Sequence, residues 1–347
     1  MVLSENNNGV GVLLATYNSE AFLREQLKSI ICSVSAPAVI IVSDDHSTDA
    51  TKSILEAIEP ECRSKNIQLR VYDNPVSNKG VHGNFRNLLS LGAASEVDIF
   101  LLCDHDDIWH DTKIEKSMFA LNTLVEGSAA TSTRPALVFT DLEVMNEGGE
   151  MISPSFSHFQ GLPDPKDHSL ERLFHQNVVT GCTTCFNRAL LEVATPVPDS
   201  VVMHDHWLGL CAKVFGDWHY IDEPLVRYRQ HGSNAVGAKR HHRSGVGVWF
   251  DPVFLKALAI FPWHFAQSIE QAKALCARVE SRDCHVEEAD AESIREFSRL
   301  MSWGLFKRIS EGSKWVSMGR GILERTYLNL VFKCLPCLRV RKTNDDV

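Results

Sequence analysis

A chain of 347 residues is long enough to bury a core without disulfide or metal staples, and suits one large domain or two modest ones at about 100–200 residues per domain. Its 44% hydrophobic and 23% charged residues exclude a disordered, fibrous or membrane-embedded chain. The 44 acidic against 35 basic side chains, a net charge of −9, exclude a nucleic-acid binder that works through an overall basic field.

In chain order, the first eight residues carry Glu5 and no Lys or Arg, and the apolar run that follows is shorter than the core of a signal peptide. No run reaches the roughly 18 apolar residues of a membrane span. A cytoplasmic protein with reduced thiols is expected. Val10–Ala15, Val39–Ser43, Ile67–Tyr72, Ile99–Cys103 and Leu137–Asp141 are continuous apolar runs bounded by polar residues, the pattern of strands covered on both faces. Leu23, Leu27, Ile30, Ile31 and Val34 fall at i, i+4, i+7, i+8 and i+11, which predicts a helix starting just after Asn18-Ser19 with all five turned inward. Ser47 is placed to cap a second helix carrying Ile54, Leu55 and Ile58, and Phe85, Leu88 and Leu89 mark a third. Strand and helix in alternation predict an α/β fold with a mostly parallel, Rossmann-like sheet and helices on both faces. Residues 146–200, punctuated by Pro154, Gly161, Pro163, Pro165, Pro196 and Pro198, read as loop-rich. A helix begins near Asp205, and from Pro252 to about Leu338 the pattern is helical. A boundary near residue 245 would divide a 1–245 α/β domain, with halves of about 1–145 and 146–245, from a 246–347 helical C-terminal extension.

In such sheets ligands bind beyond the carboxyl ends of the strands. There lie Thr16-Tyr17-Asn18, Asp44-Asp45-His46-Ser47-Thr48-Asp49, Asp73-Asn74, Asp104-His105-Asp106-Asp107 and Thr140-Asp141. Each alone is ordinary turn chemistry; five at one edge predict a polar, anionic site. Asp104, Asp106 and Asp107 would repel one another in a cleft, and a divalent cation would relieve them. Oxygen ligands suit Mn2+ or Mg2+, which bridge a carboxylate to substrate phosphates. The plain alternative is a solvated acidic turn before the next helix. Neither G-x-x-x-x-G-K-[ST] nor G-x-G-x-x-G occurs, so phosphate would be held through metal and scattered cations. The pairs Cys182/Cys185 and Cys334/Cys337 are too far apart for a compact zinc site and read as small hydrophobes.

The blocks VLLATYNSEAFLREQLKSI, VSDDHSTDAT, NKGVHGNF and LLCDHDDIW resemble, in order, those of family 2 glycosyltransferases, which share the glycosyltransferase-A (GT-A) fold. VTGCTTCFNRALL, MHDHWLGLCAKVFG and VRYRQHGSNAVGA resemble the rhamnosyltransferase-like branch that builds bacterial surface polysaccharides. The resemblance spans about residues 10–240 and implies an inverting transferase that moves a sugar, L-rhamnose for preference, from a nucleoside-diphosphate sugar to a saccharide hydroxyl. Residues 1–145 would then be the nucleotide-sugar half and 146–245 the acceptor half. Asp45 would contact the base, with Thr16, Tyr17 and Asn18 lining its site, Asn84 and Arg86 on the nucleotide side, and Asp104 as a close third acid. Asp106 and Asp107 match the family's metal pair, with Mn2+ or Mg2+ as cofactor. Asp205 matches the catalytic base, and its place at a helix start favours the ionised carboxylate, although an ordinary first-turn acid would stand there too. His204 stands where the family often has Glu. His204, His206, Trp207 and Gly181 would lie toward the acceptor or diphosphate. Arg229 and His231 could pair with phosphate oxygens, or His231 could complete the metal shell; a plain surface-loop histidine is the alternative.

Residues 1–238 hold 17 basic and 31 acidic side chains, whereas residues 239–347 hold 18 and 13. In that basic part, YLNLVFKCLPCLRVR at 327–341 could lie on an anionic leaflet or pack on the catalytic domain with snorkelling cations. A lipid-linked saccharide acceptor, with the enzyme peripheral on the inner membrane face, would suit the first reading. Two rivals share some of these features: a sugar nucleotidyltransferase, disfavoured by the lack of a glycine- and lysine-rich loop near the first strand, and a catalytically silent saccharide-binding protein.

Overall fold

The computed structural model describes residues 9–126, 134–201, 203–232, 234, 252–282 and 286–302. The elements are β1 (Val10–Thr16), α1 (Leu23–Ile31), β2 (Val39–Asp44), α2 (Thr51–Ser64), β3 (Gln68–Asp73), α3 (Val81–Ala93), β4 (Ile99–Cys103), β5 (Ile108–Trp109), α4 (Lys113–Glu126), β6 (Ala136–Asn146), β7 (Met151–Ser153), α5 (Phe156–Gln160), α6 (Leu170–His175), β8 (Cys185–Asn187), α7 (Arg188–Ala194), α8 (His204–Phe215), β9 (Asp217–Gln230), α9 (Pro252–Ser281) and α10 (Glu288–Ser298). Contacts among the described residues divide the chain into two units.

The first unit, drawn from 1–167, 178–197 and 203–240, is built on one sheet of order β3-β2-β1-β4-β8-β6-β9-β5, with β7 paired to the end of β6. β3, β2, β1 and β4 run parallel, β8 is antiparallel to both its neighbours, and β9 is parallel to β6 and antiparallel to β5. The apolar runs explain the order. β1, β2 and β4 are buried along their whole lengths, as central strands covered on both faces must be, while β3 is partly exposed at the edge. Against them pack Leu23, Leu27, Ile30 and Ile31 of α1 and Leu55 and Ile58 of α2. Each such aliphatic side chain contributes about 1.5–3 kcal/mol of burial.

The structure corrects three expectations and adds one strand. Val34 leaves the inward stripe, because α1 ends at Ile31 and Val34 is 62% exposed. Ser47 does not cap α2, which starts at Thr51; its hydroxyl donates to Asp44 Oδ1, and Asp49 Oδ1 accepts the Thr51 N–H instead. Asp141 is not a strand end: β6 runs on to Asn146, and the Asp141 carboxylate, at an irregularity in the β6–β9 register, accepts from the hydroxyls of Ser155 and Ser157. The stretch 217–230 is the 14-residue strand β9, which no continuous apolar run announces because Asp222, Glu223, Pro224, Arg227 and Arg229 interrupt it.

The second unit, drawn from 168–177, 198–202 and 241–347, gathers α6, α9 and α10. Phe174 and Phe297 stack at 4.5 Å, beside Phe265 and His175. Residues 168–177, expected in the acceptor half, therefore pack with the C-terminal helices. The boundary near residue 245 and the basic segment 327–341 lie outside the described residues. Among the described residues, no helix is long and apolar enough to cross a membrane.

Candidate active site

The carboxyl ends of β1 and β2 build one wall. Buried Asp44 takes the hydroxyls of Thr16 (2.8 Å) and Ser47 (2.6 Å), which ties the two strand ends together. Asn18, at φ 45°, donates its N–H to Ser47 Oγ and accepts the Thr48 N–H, a left-handed turn of the kind Asn tolerates. Asp45 is held from both sides, by Asn74 Nδ2 and the Gly80 N–H, each at 2.8 Å. Asn84 of α3 donates to the Thr16 and Ser43 carbonyls, and Tyr17 stands 55% exposed beside them. Thr16, Tyr17, Asn18, Asp45 and Asn84 are thus brought together, with Arg86 on the same helix α3. Asp73, by contrast, pairs with Lys52 at the exposed sheet edge.

The clamp on Asp45 depends on a close approach. Asn74 Nδ2 also donates to the Asn78 carbonyl, and a Cβ at Gly83 would run into that carbonyl. Gly83→Ala must displace the Pro75–Asn78 turn, and overpacking of this kind costs about 1–3 kcal/mol. A lower melting temperature, together with weakened binding of a nucleoside diphosphate, is the expected outcome; calorimetry of both checks it.

The second wall is the acid loop after β4. Antiparallel pairing of β5 with β9, Ile108 opposite Arg227 and Trp109 opposite Val226, brings Asp106 and Asp107 against the end of β9. His231 Nε2 lies 2.8 Å from Asp106 Oδ2, and Asn234 Nδ2 reaches the same oxygen at 3.3 Å. Asp107 turns the other way. Its Oδ1 accepts the Arg229 N–H, its Oδ2 is buried without a hydrogen-bond partner, and its carboxylate groups with Asp104 and the buried Cys182 thiol, ligand atoms within 4.8 Å of one another. The expected metal set is therefore divided between two sides of one loop. Burial and the charges of Asp106 and Asp205 push Asp104 up to about 7, and burial with the charges of Asp106 and Asp104 pushes Asp107 up. Crowded carboxylates, an unpartnered carboxylate oxygen and an imidazole are donors that fit a hard divalent cation such as Mn2+ or Mg2+.

Arg229 does not offer a free guanidinium to phosphate. Its side chain is buried, and its donors are committed to the Asp106 carbonyl (2.9 Å), the Glu147 carbonyl (2.7 Å) and Glu25 Oε2 (2.6 Å), so it braces the acid loop. Beneath the loop the Lys113 ammonium is wholly buried, without a hydrogen-bond partner and 3.6 Å from the Trp109 ring centroid. Burial lowers it to about 8. Glu25, Lys113 and Asn234 went unnoticed in the sequence, since each gains its meaning only from a distant partner.

Asp205 lies in the first turn of α8, mostly buried, where its Oδ2 accepts the Gly181 N–H at 3.0 Å. Helix start and amide both favour the anion. Its charge is felt at Asp104, which puts α8 and the acid loop on one site. His204 and His206 flank it, both largely buried. Trp207 is not a lining residue: it is fully buried, and its indole N–H donates to the Ala194 carbonyl, which makes it an anchor of α8. Cys182 and Cys185 are buried free thiols, both pushed up by burial.

The family model "Glycosyl transferase family 2" matches residues 11–188, more than half of the chain. The dTDP-rhamnosyl transferase RfbG of Shigella flexneri is 29% identical over 237 residues, which cover 65% of this chain and 74% of that protein. An uncharacterized protein of Mycobacterium tuberculosis is 27% identical over 232 residues, 64% of this chain and 59% of that one. Among solved structures, Staphylococcus aureus TarS 1–349 in complex with UDP matches with a TM-score of 0.52 and 15% identity over 94% of this chain and 90% of that one, a likeness of fold. The chain belongs to glycosyl transferase family 2, and its curled, mostly parallel sheet is that of a glycosyltransferase of the GT-A fold.

Proposed function

We propose that this glycosyltransferase moves a deoxyhexose, L-rhamnose for preference, from its nucleoside diphosphate to a hydroxyl of a saccharide or lipid-linked saccharide, with inversion at the anomeric carbon. The observation that carries the reading is the surroundings of Asp205: a carboxylate that accepts the Gly181 N–H in the first turn of α8, close enough to the acid loop to act on Asp104. Asp205 takes the proton from the acceptor hydroxyl as that oxygen attacks the anomeric carbon and the diphosphate leaves. Asp45, clamped by Asn74 and Gly80, accepts from the base, and the exposed ring of Tyr17 stacks on it. Asp106 and His231, with Asp104 and Asp107 behind them, would hold Mn2+ or Mg2+, which stabilises the charge of the departing diphosphate when bound. The rhamnose preference rests on the likeness to RfbG, 29% identical. A role in surface polysaccharide biosynthesis goes with that preference, and attachment at the inner membrane face rests on the basic segment 327–341.

Calorimetric titration of nucleoside-diphosphate sugars, each with and without Mn2+, tests the donor. Tight, Mn2+-dependent binding of dTDP-L-rhamnose is expected. A panel in which another sugar nucleotide binds more tightly removes the rhamnose assignment, and a flat panel removes the donor reading altogether.

A further inference from the structure

On the face of α3 that meets the sheet, Asn84, Phe85, Leu88 and Leu89 are buried. Val81 stands on the same stripe, one turn before Asn84 and Phe85 and two before Leu88 and Leu89, yet it is 40% exposed. The reason is its height on the helix. Asn84 donates to the Thr16 and Ser43 carbonyls at the carboxyl ends of β1 and β2, so one turn earlier the stripe has passed the strand ends. The Cα–Cβ bond of a helical residue tilts toward the helix N-terminus, which carries Val81 further out. Its neighbour Gly80 donates the N–H that holds Asp45 Oδ2. Asn74, the other half of that clamp, leads into the turn Val76–Asn78, where Val76 is 70% exposed. With Tyr17, each segment around the Asp45 carboxylate thus leaves one large apolar or aromatic side chain open. Exposed apolar groups gathered around a polar anchor mark a surface that a ligand covers.

We infer that Val81 selects the base of the donor nucleotide by packing on the 5-methyl group of thymine. The inference rests on the donor reading above and adds to it the residue that tells thymine from uracil. An ionised carboxylate has about four lone-pair sites, so Asp45 keeps acceptor capacity after Asn74 and Gly80, and the N3–H of a pyrimidine fits it. In the pyrimidine ring C5 lies across C4 from N3, so a methyl there flanks the edge that Asp45 takes, beside the residue that follows Gly80. Contact between an aliphatic side chain and that methyl is the apolar means by which proteins recognise thymine. Uracil offers the same N3–H and leaves Val81 uncovered. Because α3 is anchored by its buried stripe and by Asn84, the valine is held in place before the nucleotide arrives, and little order has to be gained on binding.

The test compares dTDP with dUDP, which differ only by that methyl, in titrations with Mn2+ on the wild type, Val81→Ala and Val81→Thr, with a thermal melt of each protein. The wild type is expected to bind dTDP about 4-fold more tightly, the worth of one buried methyl. In Val81→Ala the difference falls toward equality; Val81→Thr, which keeps one methyl on Cβ, retains part of it. The ratio is the diagnostic, because a residue that serves only the fold would weaken both nucleotides alike. Equal binding of dTDP and dUDP by the wild type overturns the inference and leaves the donor reading standing. So does a ratio undiminished in Val81→Ala, or an equal loss for both nucleotides accompanied by lower melting temperatures. A wild type that binds neither nucleotide, or prefers GDP to both, defeats the donor reading and the inference with it.

Discussion

Asp205→Asn is expected to lower kcat for sugar transfer by about 10²–10⁴-fold, the usual contribution of a general base, while the affinity for the sugar nucleotide stays near that of the wild type. The amide keeps the size of the carboxylate and one of its two bonds from backbone N–H groups, giving up the one from the His206 N–H. Its oxygen still accepts the Gly181 N–H, and it still occupies the first turn of α8. What it loses is the capacity to accept a proton. The split between kcat and donor affinity is therefore the diagnostic, and titration of the variant beside its turnover rate measures it. A collapse of donor affinity would mean that Asp205 organises the pocket and does not remove the proton.

Asp106→Ala has the second large effect. Asp106 Oδ2 is where His231 and Asn234 converge, so its removal takes away the hub of the proposed cation site. Mn2+-dependent enhancement of donor binding is expected to fall by about 100-fold. The neighbouring Asp107→Asn should act differently, because Asp107 Oδ1 holds the Arg229 N–H and thereby the end of β9. Its loss is expected to appear first in the melting temperature and only then in metal affinity. Titration of Mn2+ followed by donor, run on both variants, checks the contrast; equal losses of Mn2+ affinity would show both acids to be direct ligands.

Much of the first part of the sheet was legible in the sequence. The runs Val10–Ala15, Val39–Ser43 and Ile99–Cys103 announce strands because they are buried on both faces, and the residues following them had to meet at one edge. β9 was not legible. It carries charges and Pro224 within a strand whose pairing with β6 and β5 comes from the topology, and with it went the true surroundings of Arg229. A guanidinium in the sequence is a free charge; in the fold its donors are committed to Glu25 and the Asp106 and Glu147 carbonyls. Trp207 failed for a related reason, since the residues beside a candidate base on a helix point into the core as readily as toward a ligand. The divided orientation of Asp106 and Asp107 is likewise a property of the turn and not of residue identity.

The decisive observation is proton NMR of the product formed from dTDP-β-L-rhamnose and a rhamnoside acceptor in the presence of Mn2+. Release of dTDP with an α-linked product, absent in Asp205→Asn, is the predicted result. A β-linked product, or tight binding of the sugar nucleotide with no transfer to any hydroxyl, would contradict a direct displacement with Asp205 as its base.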